Sequence, residues 1–210
     1  KNFDIAIVDE ASQILEPQIN GILTQCSRFI LIGDHKQLPA IVLQNPESSK
    51  TKNESLHEIG LYDRRNSLFE RLYKFCEKNK LAYAHDQLTY QGRMHEEIAL
   101  YPSHSFYNST LKVACELTNL PAQIKSKLER QKLPLNLHLP EENDLNKLLS
   151  KRRLIFFNSK IYQEEDSKKS NPYEAELVVQ IVKAIKELYR FNNKEFIEEK
   201  TIGIISPYKN

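Results

Sequence analysis

Ile5-Ala6-Ile7-Val8-Asp9-Glu10-Ala11-Ser12 decides how the chain is read, because four apolar residues run directly into two adjacent carboxylates. A continuous apolar run of this kind is expected to form a strand buried on both faces, as in a parallel sheet. The C-terminal end of such a strand is where open α/β sheets place their ligands. Adjacent carboxylates there suit a hard cation. One can hold magnesium beside a nucleotide phosphate while its neighbour orients or deprotonates a water. A solvated turn with two surface acids explains Asp9 and Glu10 equally well when they are taken alone, and the choice turns on the next strand.

After Phe3–Val8 a helix is expected from Glu16-Pro17, where proline needs no amide donor. Ile19, Ile22 and Leu23 follow at helical spacing. Arg28–Ile32 reads as a second buried strand and ends in Gly33-Asp34-His35-Lys36-Gln37-Leu38-Pro39. Strand, helix and strand in succession make the βαβ unit of a parallel sheet. A right-handed crossover puts both strand ends on one edge. Asp9, Glu10, Asp34 and Gln37 are thereby expected at one crevice. A neutral glutamine has a physical use there, since its amide both donates and accepts and can bond a γ-phosphate and a water together.

Composition is that of an ordinary globular protein, with 40% hydrophobic and 28% charged residues. The formal net charge is only +2, so bulk charge gives no argument for nucleic acid and any basic path must be local. Cys26, Cys76 and Cys115 form no C-x-x-C pair and read as free thiols in a reducing compartment. No apolar run approaches the ~20 residues of a membrane span, and no signal-peptide pattern is present. These absences lead to the expectation of a cytoplasmic protein, and the wording of the Gly33–Pro39 block to a bacterial source. Both ends look cut, which leads to the expectation of a piece of a longer polypeptide.

Gln44–Glu58 reads as a polar loop. Ser67 and Glu70 fit a capping box ahead of a helix whose apolar face is Leu68, Phe69, Leu72, Tyr73 and Phe75. Composition turns strand-like at Leu81–Ala84, and a domain boundary is expected near residue 80. Lys112–Lys151 is expected to hold short helices and loops. Arg153–Phe157 reads as a strand and Ser159–Ser170 as a charged loop. Asn171-Pro172-Tyr173-Glu174 opens a helix, with Asn171 as N-cap and Glu174 as reciprocal cap. Its apolar stripe is Leu177, Val178, Ile181, Val182, Ile185, Leu188 and Tyr189. Thr201–Ser206 reads as a last strand.

Asp9-Glu10-Ala11-Ser12, the Gly33–Pro39 block, Gln91-Gly92-Arg93-Met94-His95 and Ser206-Pro207-Tyr208, in this order, resemble the motifs of a superfamily 1 helicase. The resemblance is to the group that includes the nonsense-mediated-decay helicase, senataxin and the replication helicase/nucleases, and it covers almost the whole chain from the Walker B element onward. It implies an α/β, parallel-sheet, RecA-like (P-loop NTPase) fold. Residues 1–80 would be the C-terminal part of one motor domain and 81–210 the N-terminal part of a second.

The resemblance also implies roles. Asp9 would bind Mg2+ and Glu10 would be the base or orienter for the attacking water. Gln37 would sense the γ-phosphate, with Gly33 and Asp34 shaping its loop. Arg93 would be an arginine finger, where a planar guanidinium suits spread phosphoryl charge. Gln91 and Glu174 would lie near the ATP. Ser206, Pro207 and Tyr208 would touch the backbone of single-stranded DNA or RNA.

Two residues depart from the family pattern. Gly92 stands where a tyrosine is usual and Glu96 where a proline is usual. The tyrosine's stacking contact is worth on the order of 1 kcal/mol. No G-x-x-x-x-G-K-[ST] phosphate loop occurs, and only five glycines are present. The chain alone is therefore expected to be without ATPase activity. The competing readings are a degenerate motor domain serving as a nucleic-acid- or protein-binding module, favoured by Gly92 and Glu96, and another magnesium-dependent phosphohydrolase or nuclease. The last would leave the arginine and glutamine motifs idle.

Overall fold

A computed structural model describes residues 3–140, 142–159 and 170–206. The chain divides into two compact units, Lys1–Leu88 and Thr89–Asn210.

In the first unit, β1 (Phe3–Val8) and β2 (Cys26–Leu31) pair in parallel, with Phe3 opposite Cys26 and Val8 opposite Leu31. Helix α1 (Glu16–Leu23) connects them, with Pro17 in its first turn and the Gln18 side chain accepting the Leu15 N–H at 3.2 Å. Strand β2 begins two residues before the apolar run at Arg28, because Cys26 has Phe3 as its partner. Ile19 of α1 is buried, as are Ala11 and Leu68. Leu68 opens α4 (Leu68–Lys78), whose N-cap Ser67 accepts the Glu70 N–H at 3.1 Å. Arg71 of α4 clasps Glu16 at the start of α1 with two hydrogen bonds, 2.8 and 2.5 Å, and both side chains are nearly buried.

The expectation of a sheet buried on both faces is not met. Phe3, Ile5, Ile7, Phe29 and Ile30 are exposed, Ile7 by 64%. Among the described residues the sheet has only two strands, so no neighbouring element covers these side chains. The Gln44–Glu58 stretch is also more ordered than a polar loop. It holds α2 (Pro46–Ser49) and α3 (Glu54–Glu58), because the side chains of Asn45 and Asn53 accept the N–H groups of Glu47 and Ser55, each at 2.9 Å. Leu81–Ala84 forms a 3-10 turn over Ala82–Ala84 in place of a strand, after Lys80 enters the left-handed region at φ 57°.

In the second unit, β3 (Tyr90–Gln91) pairs in parallel with β4 (Lys112–Val113). Helix α5 (Glu96–Phe106) lies between them in sequence. Short helices follow, α6 (Ala122–Leu128), a 3-10 turn over Glu129–Lys132, and α7 (Asp144–Lys151), in keeping with the expectation for that stretch. Helix α7 packs on α8 (Pro172–Phe191). Ala184 and Leu188 are the buried residues of α8, and the expected stripe from Leu177 to Tyr189 is its less exposed face.

Arg153–Phe157 and Thr201–Ser206 are not strands. Phe156 and Ile205 are 91% and 96% exposed, and neither segment has a sheet neighbour among the described residues, without which a strand leaves its backbone groups unpaired. Thr201 instead ends α9 (Glu198–Thr201), its N–H on the Ile197 carbonyl at 2.7 Å. Residues 160–169 of the expected charged loop lie outside the described residues.

Candidate functional site

The first unit builds its site by tying the ends of β1 and β2 together. The Ile32 N–H donates to the Val8 carbonyl and the Ala11 N–H to the Ile32 carbonyl, each at 2.8 Å. The buried Ser12 hydroxyl then accepts the Asp34 N–H at 3.1 Å. A Cβ on Gly33 would fall 2.9 Å from the Ser12 nitrogen, so only glycine permits this approach. The two carboxylates and the glutamine loop consequently share one edge of the sheet, as the βαβ reading expects.

Asp9 and Glu10 are both exposed at that edge. Glu10 has φ 52° and ψ 33°, a left-handed conformation sparse for a non-glycine residue and of the kind that gathers at functional sites. Its N–H donates to Asp9 Oδ1 at 2.9 Å, and its side chain accepts from Gln13 Nε2 at 3.3 Å. Among the described residues no cluster of three or more metal-ligating side chains occurs. Magnesium needs none, since it takes one or two carboxylates and completes its shell with water and phosphate oxygens. Asp9 fits that donor set.

Asp34 organises the second loop. Its carboxylate accepts the Lys36 N–H at 3.0 Å and the Gln37 side-chain N–H at 2.9 Å. A carboxylate only accepts, so Gln37 presents its Nε2 to Asp34. His35 stacks against Tyr73 of α4 at a ring separation of 4.8 Å and lies 6.4 Å from Phe69. Burial, and then the charge of Lys36, hold the His35 pKa below its ordinary value. Burial, and then Glu77, push the Tyr73 hydroxyl up.

In the second unit, Gln91, Gly92, Arg93, Met94 and His95 form a loop closed by the Gln91 side chain. Gln91 Oε1 accepts the N–H groups of Arg93 and Met94 at 2.9 and 2.7 Å, and its Nε2 donates to the Met94 carbonyl at 2.9 Å. Arg93 is exposed. His95 caps α5, with Nδ1 accepting the Glu97 N–H at 3.2 Å and Nε2 bonding the Leu133 carbonyl at 3.1 Å. Space beside Gly92 is ordinary, since a Cβ there would lie 3.4 Å from Leu128 Cδ2.

Asn171 caps α8 through the N–H groups of Tyr173 and Glu174, and Glu174 accepts the Ser159 hydroxyl at 2.8 Å. Ser206 is exposed, while Pro207 and Tyr208 lie outside the described residues. Two residues with structural consequence carried no role in the sequence reading. Ser12 was legible as part of the Asp9–Ser12 block. Gln131, wholly buried behind the Arg93 loop, sits in a stretch without any motif.

Two protein-family models, each described as an AAA domain, match residues 1–45 and 64–210. The chain is similar to the DNA replication ATP-dependent helicase/nuclease DNA2 of Xenopus laevis, 33% identical over 216 residues covering all of this chain and 18% of that protein. It is similar to the DNA polymerase alpha-associated DNA helicase A of Schizosaccharomyces pombe, 30% identical over 221 residues, covering 99% of this chain and 26% of that one. An uncharacterized ATP-dependent helicase of Methanocaldococcus jannaschii is 26% identical over 211 residues, covering 98% of this chain and 26% of its own length. The chain thus spans about a fifth to a quarter of these relatives. The eukaryotic replication helicases among them overturn the expectation of a bacterial, cytoplasmic protein. No helix of the described residues is long and apolar enough to cross a membrane.

Proposed function

Because this chain belongs to the superfamily 1 helicases, we propose that it forms part of an ATP-driven motor that moves on single-stranded DNA, within a longer polypeptide. Its α/β fold with parallel strand pairs is of the RecA-like, P-loop NTPase type. The reading rests above all on the Ser12–Asp34 hydrogen bond, which keeps Asp9, Glu10 and Gln37 on one sheet edge. The low share of each relative that this chain spans, and the lack of a G-x-x-x-x-G-K-[ST] loop in its sequence, support the longer polypeptide. The first unit is then the C-terminal part of one motor domain and the second the N-terminal part of another.

Asp9 holds Mg2+ in this proposal, and the ion supplies charge neutralisation to the ATP phosphates when bound. Glu10, whose backbone is left-handed, orients the attacking water and takes its proton. Gln37, with Nε2 already directed by Asp34, contributes its amide to the γ-phosphate and the water. Gly33 and Asp34 shape that loop. Arg93 brings a guanidinium to the charge that develops on the transferred phosphoryl group. Gln91 serves ATP binding through the shape of the Arg93 loop, and Glu174 through the start of α8. Ser206 and Tyr208, with Pro207 between them, belong to a segment that touches the strand backbone through the hydroxyl and amide groups of the serine and the tyrosine. The relatives' names favour DNA over RNA.

The test is the ATPase rate of the full-length protein carrying this sequence, with and without single-stranded DNA or RNA. Stimulation by DNA above RNA is expected. No hydrolysis under any condition, with strand binding retained, would return the degenerate-module reading.

A further inference from the structure

We propose that Gln131 is a positioning residue that sets the backbone from which Arg93 projects, an inference that rests on the role given to Arg93 above. Gln131 lies in the 3-10 turn Glu129–Lys132 and is 0% exposed, while its neighbours Arg130 and Lys132 are exposed. A primary amide in that position must find partners for its donors and its acceptor inside the protein. Gln131 finds them on three backbone groups. Its Nε2 donates to the carbonyls of Gln91 at 2.9 Å and Met94 at 3.0 Å, and its Oε1 accepts the Cys115 N–H at 3.0 Å.

The two carbonyls bracket Arg93. Cys115 follows β4, the strand whose Val113 pairs with Gln91. Gln131 therefore joins both flanks of the arginine to the turn that follows the neighbouring strand. Gln91 fixes the same loop from within, through the N–H groups of Arg93 and Met94. Every backbone contact holds the loop, while the Arg93 side chain itself stays exposed. A guanidinium on a long, flexible stem gains from such a base, because the angle at which it leaves the backbone fixes the volume it can search. An apolar side chain of the same length would take the acceptor from the Cys115 N–H and one donor from each carbonyl, leaving the Met94 carbonyl only the Gln91 side chain.

The test uses the full-length protein and DNA-stimulated ATP hydrolysis, comparing wild type with Gln131→Met, Gln131→Asn, Arg93→Ala and the double variant Gln131→Met/Arg93→Ala. Gln131→Met is expected to lower kcat about 10–100-fold, with the KM for ATP and the affinity for single-stranded DNA near wild type. Gln131→Asn keeps the amide on a shorter stem and should lose an intermediate amount, which also covers the case in which Gln131→Met does not fold. If Gln131 acts through Arg93, the double variant is no slower than Arg93→Ala alone. Wild-type kcat in Gln131→Asn or Gln131→Met would overturn the proposal. So would an equal fold-loss in the Arg93→Ala background, or a parallel collapse of KM and DNA affinity. A wild-type rate in Arg93→Ala would instead overturn the role of the arginine, and the role of Gln131 with it.

Discussion

The Ser12 hydroxyl accepts the Asp34 N–H at 3.1 Å, joining the second residue after the paired carboxylates to the residue that directs Gln37. Ser12 is buried, so removing its oxygen leaves the Asp34 N–H without that acceptor in a partly buried place. Ser12→Ala is expected to cost about 1–3 kcal/mol. Amide hydrogen exchange at Asp34 checks it directly and should accelerate together with that of Gln37.

Gly33 and Gly21 should respond in opposite directions to the same change. A Cβ at Gly33 meets the Ser12 nitrogen at 2.9 Å, whereas one at Gly21 in α1 meets nothing within 4 Å. Gly33→Ala is expected to destabilise by about 1–3 kcal/mol by prising the strand ends apart. Gly21→Ala should stabilise by about 0.5–1 kcal/mol through helix propensity. Urea midpoints of the two variants measure both.

Arg71 and Glu16 are a nearly buried, doubly bonded pair that ties α4 to α1, and Arg71 also donates to the Ile59 carbonyl at 2.7 Å. Arg71→Ala strands a carboxylate in the interior and is expected to cost about 3–5 kcal/mol. Glu16→Met with Arg71→Met should recover most of that loss in thermal unfolding, because it removes both charges together.

His35 gives the glutamine loop a pH dependence. Its folded pKa is lowered, by burial first and by Lys36 next, from an ordinary value of 6.5. Its contribution is therefore complete above that value and is lost as pH falls through the lower folded pKa. Between about pH 7 and about pH 5, spanning the ordinary histidine range, wild type should lose more stability than His35→Phe, which keeps the ring against Tyr73. Parallel curves in a urea series would contradict this.

Much of the first unit was readable because its information is local. The apolar run from Ile5 to Val8 and the proline at residue 17 specify strand and helix without reference to anything distant, and the Asn171 cap does the same for α8. Burial was not readable in that way. Whether Ile7 is covered depends on neighbours that a period cannot reveal, and the same holds for Phe156 and Ile205, whose strand-like runs have no pairing partner among the described residues. Asn45 and Asn53 looked like loop residues because caps and loops share a composition. Gln131 left no trace at all, since its meaning lies in carbonyls forty residues away in sequence.

Glu10→Gln in the full-length protein tests most directly that the β1 edge is an ATP hydrolysis centre. The substitution keeps the size and the Gln13 neighbour but removes the base, so DNA-stimulated turnover should fall by about 100-fold or more while ATP and single-stranded DNA still bind. Turnover unchanged in Glu10→Gln would contradict the assignment of the paired carboxylates and of the edge on which the Ser12–Asp34 bond holds them.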